Sequence, residues 1–206
     1  LAWELPGVAA RLPFLLQGTT LLHTGSIATM LSPGAAEVFA AVERAHPSAT
    51  ISFDPNCRPS IIPDVDYARG QAEKFVRLAD VVKASDEDLE WLYPGVDPLD
   101  SARRWQTLGG SEGPAMVVVT RGSKGPWGIN AAGEALFPAP EISVADTVGA
   151  GDSFMAALLS GVVDLGLDGA QNRKGLRELS AESLRDLLAH ASRAAAVTVS
   201  RAGANP

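Results

Sequence analysis

The sequence predicts an α/β fold, a Rossmann-like, doubly wound and mostly parallel sheet flanked by helices. Three observations lead there. Short apolar runs of strand length alternate with stretches of helical period along the chain. The clearest run, 115–120 (A-M-V-V-V-T), has the apolar character of a parallel strand covered on both faces. The glycines and polar residues that stand out follow directly after such runs, and sheets of this kind bind ligands beyond the C-terminal ends of their strands.

Taken in order, residues 19–24 (T-T-L-L-H-T) read as the first strand, ending near Gly25. Ser32 and Pro33 read as an N-cap followed by proline at the first helical position, and Ala35, Val38, Phe39 and Val42 continue at helical spacing. A second strand over 49–53 (A-T-I-S-F) runs into D-P-N-C-R-P, where Pro55, Pro59 and Pro63 hold a loop. Ala68, Ala72, Phe75, Val76 and Ala79 mark one face of the next helix. Residues 80–84 (D-V-V-K-A) form a short third strand, and Ser85 opens a helix carrying Leu89 and Leu92 that stops at Pro94-Gly95. A helix over 98–108, the strand over 115–120 and a hairpin through Trp127, Ile129 and 135–138 follow. Gly149 to Asp152 introduces a helix with Phe154, Leu158, Leu159 and Val162, residues 164–179 read as polar and irregular, and Leu184, Leu187, Leu188, Ala191 and Ala195 line the last helix.

Composition narrows the function classes. Of 206 residues, 46% are hydrophobic and 20% charged, which is a folded domain rather than a disordered segment. Aromatics reach only 6%, so Ala, Val and Leu must build most of the core. A net charge of -7 works against a nucleic-acid role, which wants a basic face. Any phosphate bound here has to be held by local backbone dipoles and a few selected cations. The single cysteine, Cys57, cannot form an internal disulfide, no apolar run approaches the ~20 residues of a membrane span, and no signal-peptide pattern is present. The expectation is a cytoplasmic protein with neither nucleic-acid nor membrane partners. The three histidines are scattered without zinc spacing, and His23 reads as a strand-end core residue.

The strongest motif is D-T-V-G-A-G-D at 146–152, followed by S-F-M-A-A-L-L. Gly149 and Gly151 permit backbone shapes that other residues resist, and the amides of 149–152 then lie free at a helix N-terminus, where the dipole favours an anion. Asp152 stands where a carboxylate could take a proton from an attacking hydroxyl. A general base beside fixed dipoles is what transfer of a γ-phosphoryl group requires. No Gly-Lys-Ser/Thr follows the glycines, and G-x-G-x-x-G does not occur, so the motif is neither a Walker A loop nor a dinucleotide fingerprint. The competing structural reading is a helix cap with two turn glycines.

D-T-V-G-A-G-D-S-F resembles the C-terminal signature of the ribokinase-like (pfkB) carbohydrate kinases. H-T-G-S-I-A, S-F-D-P-N-C-R-P, K-A-S-D-E-D-L-E, V-V-V-T-R-G-S-K-G and S-R-A-G-A-N-P occur in the family's order along essentially the whole chain, and D-P-N-x-R-P with G-A-N-P looks most like the bacterial fructokinase branch. The resemblance implies ATP, Mg²⁺ and a sugar hydroxyl as acceptor, with Asp152 as general base and Gly149, Ala150 and Gly151 as the anion hole.

The same resemblance puts Thr120, Gly122, Ser123 and Gly125 at the nucleotide, where the residues alone fit an ordinary turn equally well. Ser192 on the last helix is expected to face the adenine. Ser85 and Asp88 stand where the family carries Asn-x-x-Glu, which organises Mg²⁺ and phosphate. They also form a helix-capping pattern, so Asp88 is expected either to cap or to reach Mg²⁺ through water. Asp54, Asn56 and Arg58 are expected at substrate or phosphate, against the alternative of a loop held by its own hydrogen bonds. Carbonyls near Asp146, Val148 and Gly203 are expected around K⁺.

By the same comparison residues 1–206 are one C-terminal nucleotide-binding and catalytic portion. The N-terminal strands, the sugar-contacting glycines and the β lid that gives the full-length protein a homodimer contact are expected to precede Leu1. The chain alone is then poorly active and has an exposed sheet edge. Two alternatives stay open: a kinase for another small sugar or sugar acid such as 2-keto-3-deoxygluconate, and a catalytically silent nucleotide-binding module.

Overall fold

A computed structural model describes residues 8–203. In chain order the elements are α1 (Val8–Leu15), β1 (Leu21–Gly25), α2 (Gly34–Ala45), β2 (Thr50–Asp54), α3 (Val65–Val76), β3 (Val81–Ser85), α4 (Asp86–Leu92), α5 (Pro98–Thr107), β4 (Met116–Thr120), β5 (Trp127–Asn130), β6 (Gly133–Leu136), α6 (Ala150–Asp164), α7 (Arg173–Arg177) and α8 (Ala181–Val199). The six strands lie side by side in sequence order, β1 to β4 parallel, β5 and β6 antiparallel. All four parallel strands therefore end at one edge of the sheet, and that edge carries the site.

Strand alternation sorts the core into two layers. Ile51, Phe53, Val82, Ala84, Val117 and Val119 face the layer of α2, α3, α4 and α5, where Phe75 stacks on Phe53 with ring centroids 5.4 Å apart. Val81, Met116 and Val118 face α6, α7 and α8 through Phe154, Leu158, Leu184 and Leu188. The sheet is thus covered on both faces. Among the described strands the second face is covered by helices that follow the sheet, not by a reversal of strand order.

Two local expectations change. Ser32 does not cap α2, which begins at Gly34 after Pro33. Backbone carbonyls do the work instead, Leu31 accepting from Ala35 N–H at 2.9 Å and Pro33 from Ala36 N–H at 3.1 Å. Residues 164–179 are not wholly irregular, because they contain α7. Leu176 is fully buried there, and the Arg173 guanidinium donates to Asp80 Oδ1 at 2.7 Å, to Ala49 O at 2.9 Å and to His46 O. Asp80 is fully buried, and its other oxygen accepts from Ile51 N–H. Arg177 adds a bond to Gly113 O at 2.7 Å. This short charged helix therefore sutures the N-terminal ends of β2, β3 and β4, a long-range role with no local periodicity to announce it.

Replacing Arg173 by Ala would strand a buried carboxylate. The expected loss is about 3–5 kcal/mol of unfolding free energy, measured by urea denaturation, with Arg173→Lys losing less.

Candidate active site

The C-terminal edge is shaped by the turn before α6. Gly149 is its N-cap, in the left-handed region at φ 78°, a conformation glycine adopts without a Cβ penalty. The turn brings the N–H groups of Gly151 and Asp152 to the helix end with no acceptor among the described residues, whereas Ala150 N–H donates to Thr147 O at 3.2 Å. Asp152 projects from the first turn of α6 and is exposed.

Gly151 is glycine for a different reason from the one its sequence motif implies. It lies inside the helix and has no positive φ. A Cβ built on it would sit 3.0 Å from Lys83 Nζ. Lys83, a lone cation in the apolar strand V-V-K-A-S, is 3% exposed and ion-paired to Asp54 Oδ2 at 2.8 Å. Burial pushes the Asp54 carboxyl above its ordinary range, and the Lys83 ammonium pulls it back. Next along the same face, His23 Nδ1 lies 2.9 Å from Ser52 Oγ. His23 is exposed, not core, because β1 has a described neighbour on one side only. Desolvation and then the Lys83 charge hold its imidazole below the usual pKa, against the opposing pull of Asp152.

A cavity of about 950 Å³ opens between these strand ends, α6 and α8. Asn56, Arg58, Ser85 and Asp88 line one side, Thr120, Gly122, Ser123 and Gly125 another, and Ala150, Gly151 and Ser192 the helical wall. Most of the residues expected at a ligand are therefore brought together. Asp54 is not among them, since its carboxylate turns under the site to Lys83, with Oδ1 accepting from Asn56 N–H at 3.1 Å. Gly149, Asp152, Asp146, Val148 and Gly203 also lie outside the cavity wall. The Asp146 carboxylate clasps its own loop to the tail, accepting from Val148 N–H and Gly203 N–H at 3.0 Å each. The first of these bonds, then the second, holds its pKa below the ordinary carboxylate value.

Ser85 and Asp88 form a full capping box. Asp88 Oδ2 accepts from Ser85 N–H and Oγ–H, and Asp88 Oδ1 accepts from Cys57 N–H at 2.7 Å. Asp88 thus fixes the start of α4 and the 54–58 loop together. Burial, then the Asp88 charge, pushes the Cys57 thiol well above its usual pKa, which keeps it neutral. Arg58 folds back on its loop, donating to Asn56 Oδ1 at 2.6 Å while still reaching the cavity. Arg121 wraps the 122–125 turn through Gly125 O at 3.0 Å. The Ser192 hydroxyl, 4% exposed on the cavity wall, has no hydrogen-bond partner among the described residues.

Lys83 is the main site residue that sequence reasoning left without a role. Its signal was a charge in a strand that otherwise buries only apolar and small residues. Thr147, which the motif contains but to which no role was given, and the 139–144 loop, which carried no recognisable pattern, also line the cavity.

Parallel strand ends here meet a glycine-opened helix, with an acid on its first turn and a cavity alongside, and the fold is that of the ribokinase-like kinases. The profile of the pfkB family of carbohydrate kinases matches residues 10–206, and the chain belongs to that family. A fructokinase of Rhizobium leguminosarum bv. trifolii is 33% identical over 177 residues, 86% of this chain and 52% of that one. The fructokinase of Vibrio cholerae, solved in a fructose-, ADP- and calcium-bound form, superposes with a TM-score of 0.69 at 25% identity over 89% of this chain and 56% of that one. An uncharacterized sugar kinase of Pyrococcus horikoshii, solved with ATP, gives a TM-score of 0.70 at 26% identity over 93% and 55%. The chain spans about half the length of these proteins. No helix among the described residues is long and apolar enough to cross a membrane.

The two glycines are expected to separate in a denaturation experiment. Gly149→Ala forces an alanine into the left-handed region and should cost about 1 kcal/mol. Gly151→Ala carries no such backbone penalty, so its only obstacle is the Lys83 ammonium.

Proposed function

We propose that the protein phosphorylates a sugar hydroxyl with ATP in the manner of a fructokinase. The observation that carries this reading is the exposed Asp152 at the rim of the cavity, beside two amides of α6 that have no acceptor among the described residues. Asp152 takes the proton of the attacking hydroxyl as its oxygen closes on the γ-phosphorus. The Gly151 and Asp152 amides, with the dipole of α6 behind them, stabilise the charge that develops on the phosphoryl oxygens. Gly149 sets this turn, and the Ala150 amide is held by Thr147 O.

The nucleotide fits the cavity. Thr120 and the 122–125 turn face the phosphates, and the orphaned Ser192 hydroxyl gains a partner on the base side. The ADP of the Vibrio cholerae protein and the ATP of the Pyrococcus horikoshii one support this assignment. Asn56 and Arg58 are the substrate or phosphate contacts that the loop still offers.

Mg²⁺, when bound, neutralises phosphate charge and orients the γ-phosphoryl group. Among the described residues no cluster of three or more His, Cys, Asp or Glu forms a direct site. Asp88 fits an outer role, because protein donors already occupy three of its roughly four lone-pair sites and leave one for a metal-bound water. A monovalent cation such as K⁺ suits the Asp146–Val148 loop and Gly203, which the Asp146 clasp holds together. Fructose is the first acceptor to try, ahead of 2-keto-3-deoxygluconate. Residues 1–206 act as one nucleotide-binding and catalytic unit in a cytoplasmic protein, with dimerisation left to the full-length chain.

Asp152→Asn in the full-length protein should lower the turnover of fructose by about 10²–10⁴-fold while ATP still raises the melting temperature. Retained turnover would remove Asp152 from the mechanism. ATP-dependent stabilisation of the wild type with no turnover of any sugar would favour the silent nucleotide-binding module.

A further inference from the structure

We propose that Lys83 is a phosphoryl-binding residue, an ammonium set beneath the first turn of α6 to meet the oxygens of the γ-phosphoryl group. The inference rests on the kinase reading of the site and adds to it a full positive charge that the backbone amides lack.

Burial is the first argument. Lys83 sits among Val81, Val82 and Ala84, each 0% exposed, where packing has no use for a cation. Holding a charge out of water carries a desolvation penalty that an ion pair only partly offsets. Asp54 takes one of the three ammonium donors, at 2.8 Å. An apolar side chain would hold β3 in the sheet at lower cost, so the charge calls for a ligand.

Position is the second argument. The same side chain lines the cavity, together with Gly151, Thr147 and Asp88. Its Nζ lies 3.0 Å from where a Cβ at Gly151 would sit, a tight contact, although the backbone of Gly151 is ordinary helix. The missing side chain at 151 is thus a gap between the ammonium and the helix end that carries the free amides. A helix N-terminus supplies about half a charge, and the phosphoryl group in transfer spreads its charge over three equatorial oxygens. Amides from one side and an ammonium from below answer that distribution, with the cation neutralised by Asp54 until the phosphate arrives.

Asp54 is on this account a positioning residue. Its Oδ2 holds Lys83 and its Oδ1 holds Asn56 N–H, so it ties the cation to the substrate loop without touching the ligand.

The test uses the full-length protein and compares wild type, Lys83→Met, Lys83→Arg and the neutral double variant Lys83→Met with Asp54→Asn. The double variant removes the stranded carboxylate that could unfold the single one. Calorimetry of ATP and of ADP is run beside steady-state kinetics with fructose. In the double variant ATP should bind roughly 10-fold more weakly with ADP affinity unchanged, and kcat should fall by roughly 100-fold. Lys83→Arg should recover part of both. An unchanged ratio of ATP to ADP affinity, or kcat within about threefold of wild type, would overturn the assignment, as would a loss seen in stability alone. The binding ratio does not depend on turnover. A wild type that binds ATP through Lys83 yet phosphorylates no sugar would sink the kinase reading and leave Lys83 standing.

Discussion

The ion pair between Asp54 and Lys83 is the interaction around which the active edge is built. It joins β2 to β3 on the face that α6 covers, and glycines lie close against both partners. Gly25 closes against the Asp54 backbone, and Gly151 leaves room for the Lys83 ammonium. Through its second oxygen Asp54 also fixes Asn56, and so the loop that carries Arg58 into the cavity. The pair and its hydrogen bonds thus link β2, β3 and the 54–58 loop. The pair is tolerable inside the sheet because it is short and hydrogen-bonded.

Around that pair, local chemistry makes each part of the site rigid before any ligand arrives. Gly149 turns the chain by its left-handed backbone, the Ser85–Asp88 box locks the start of α4 to the 54–58 loop, and Arg121 fills the 122–125 turn with its own guanidinium. Preorganised dipoles of this kind need no rearrangement when charge develops, which is where electrostatic catalysis gains most.

Much of this was legible in the sequence because it is local. Strand length, helical period and the Ser85 cap predicted the right elements, and the motifs with the family resemblance pointed to residues on each side of the cavity. What escaped was set by distant partners. Pro33 directs α2 through backbone carbonyls that no pattern marks. Arg173 looks like a surface charge until Asp80 is found beneath it. Gly151 reads as a turn residue until Lys83 is seen against it, and Asp54 reads as a ligand contact until the same lysine claims it. Pro33 apart, the residue type was conspicuous and its partner lay far along the chain.

The suture of α7 has a consequence for how such a protein can change. Arg173 and Arg177 bind the N-terminal ends of the strands, at the edge opposite the cavity. Folding strength and chemistry are therefore concentrated at opposite rims of one sheet. Loops at the cavity rim can drift in sequence while the far rim keeps the strands in register. A scaffold divided in this way is free to diversify in specificity without first becoming more stable.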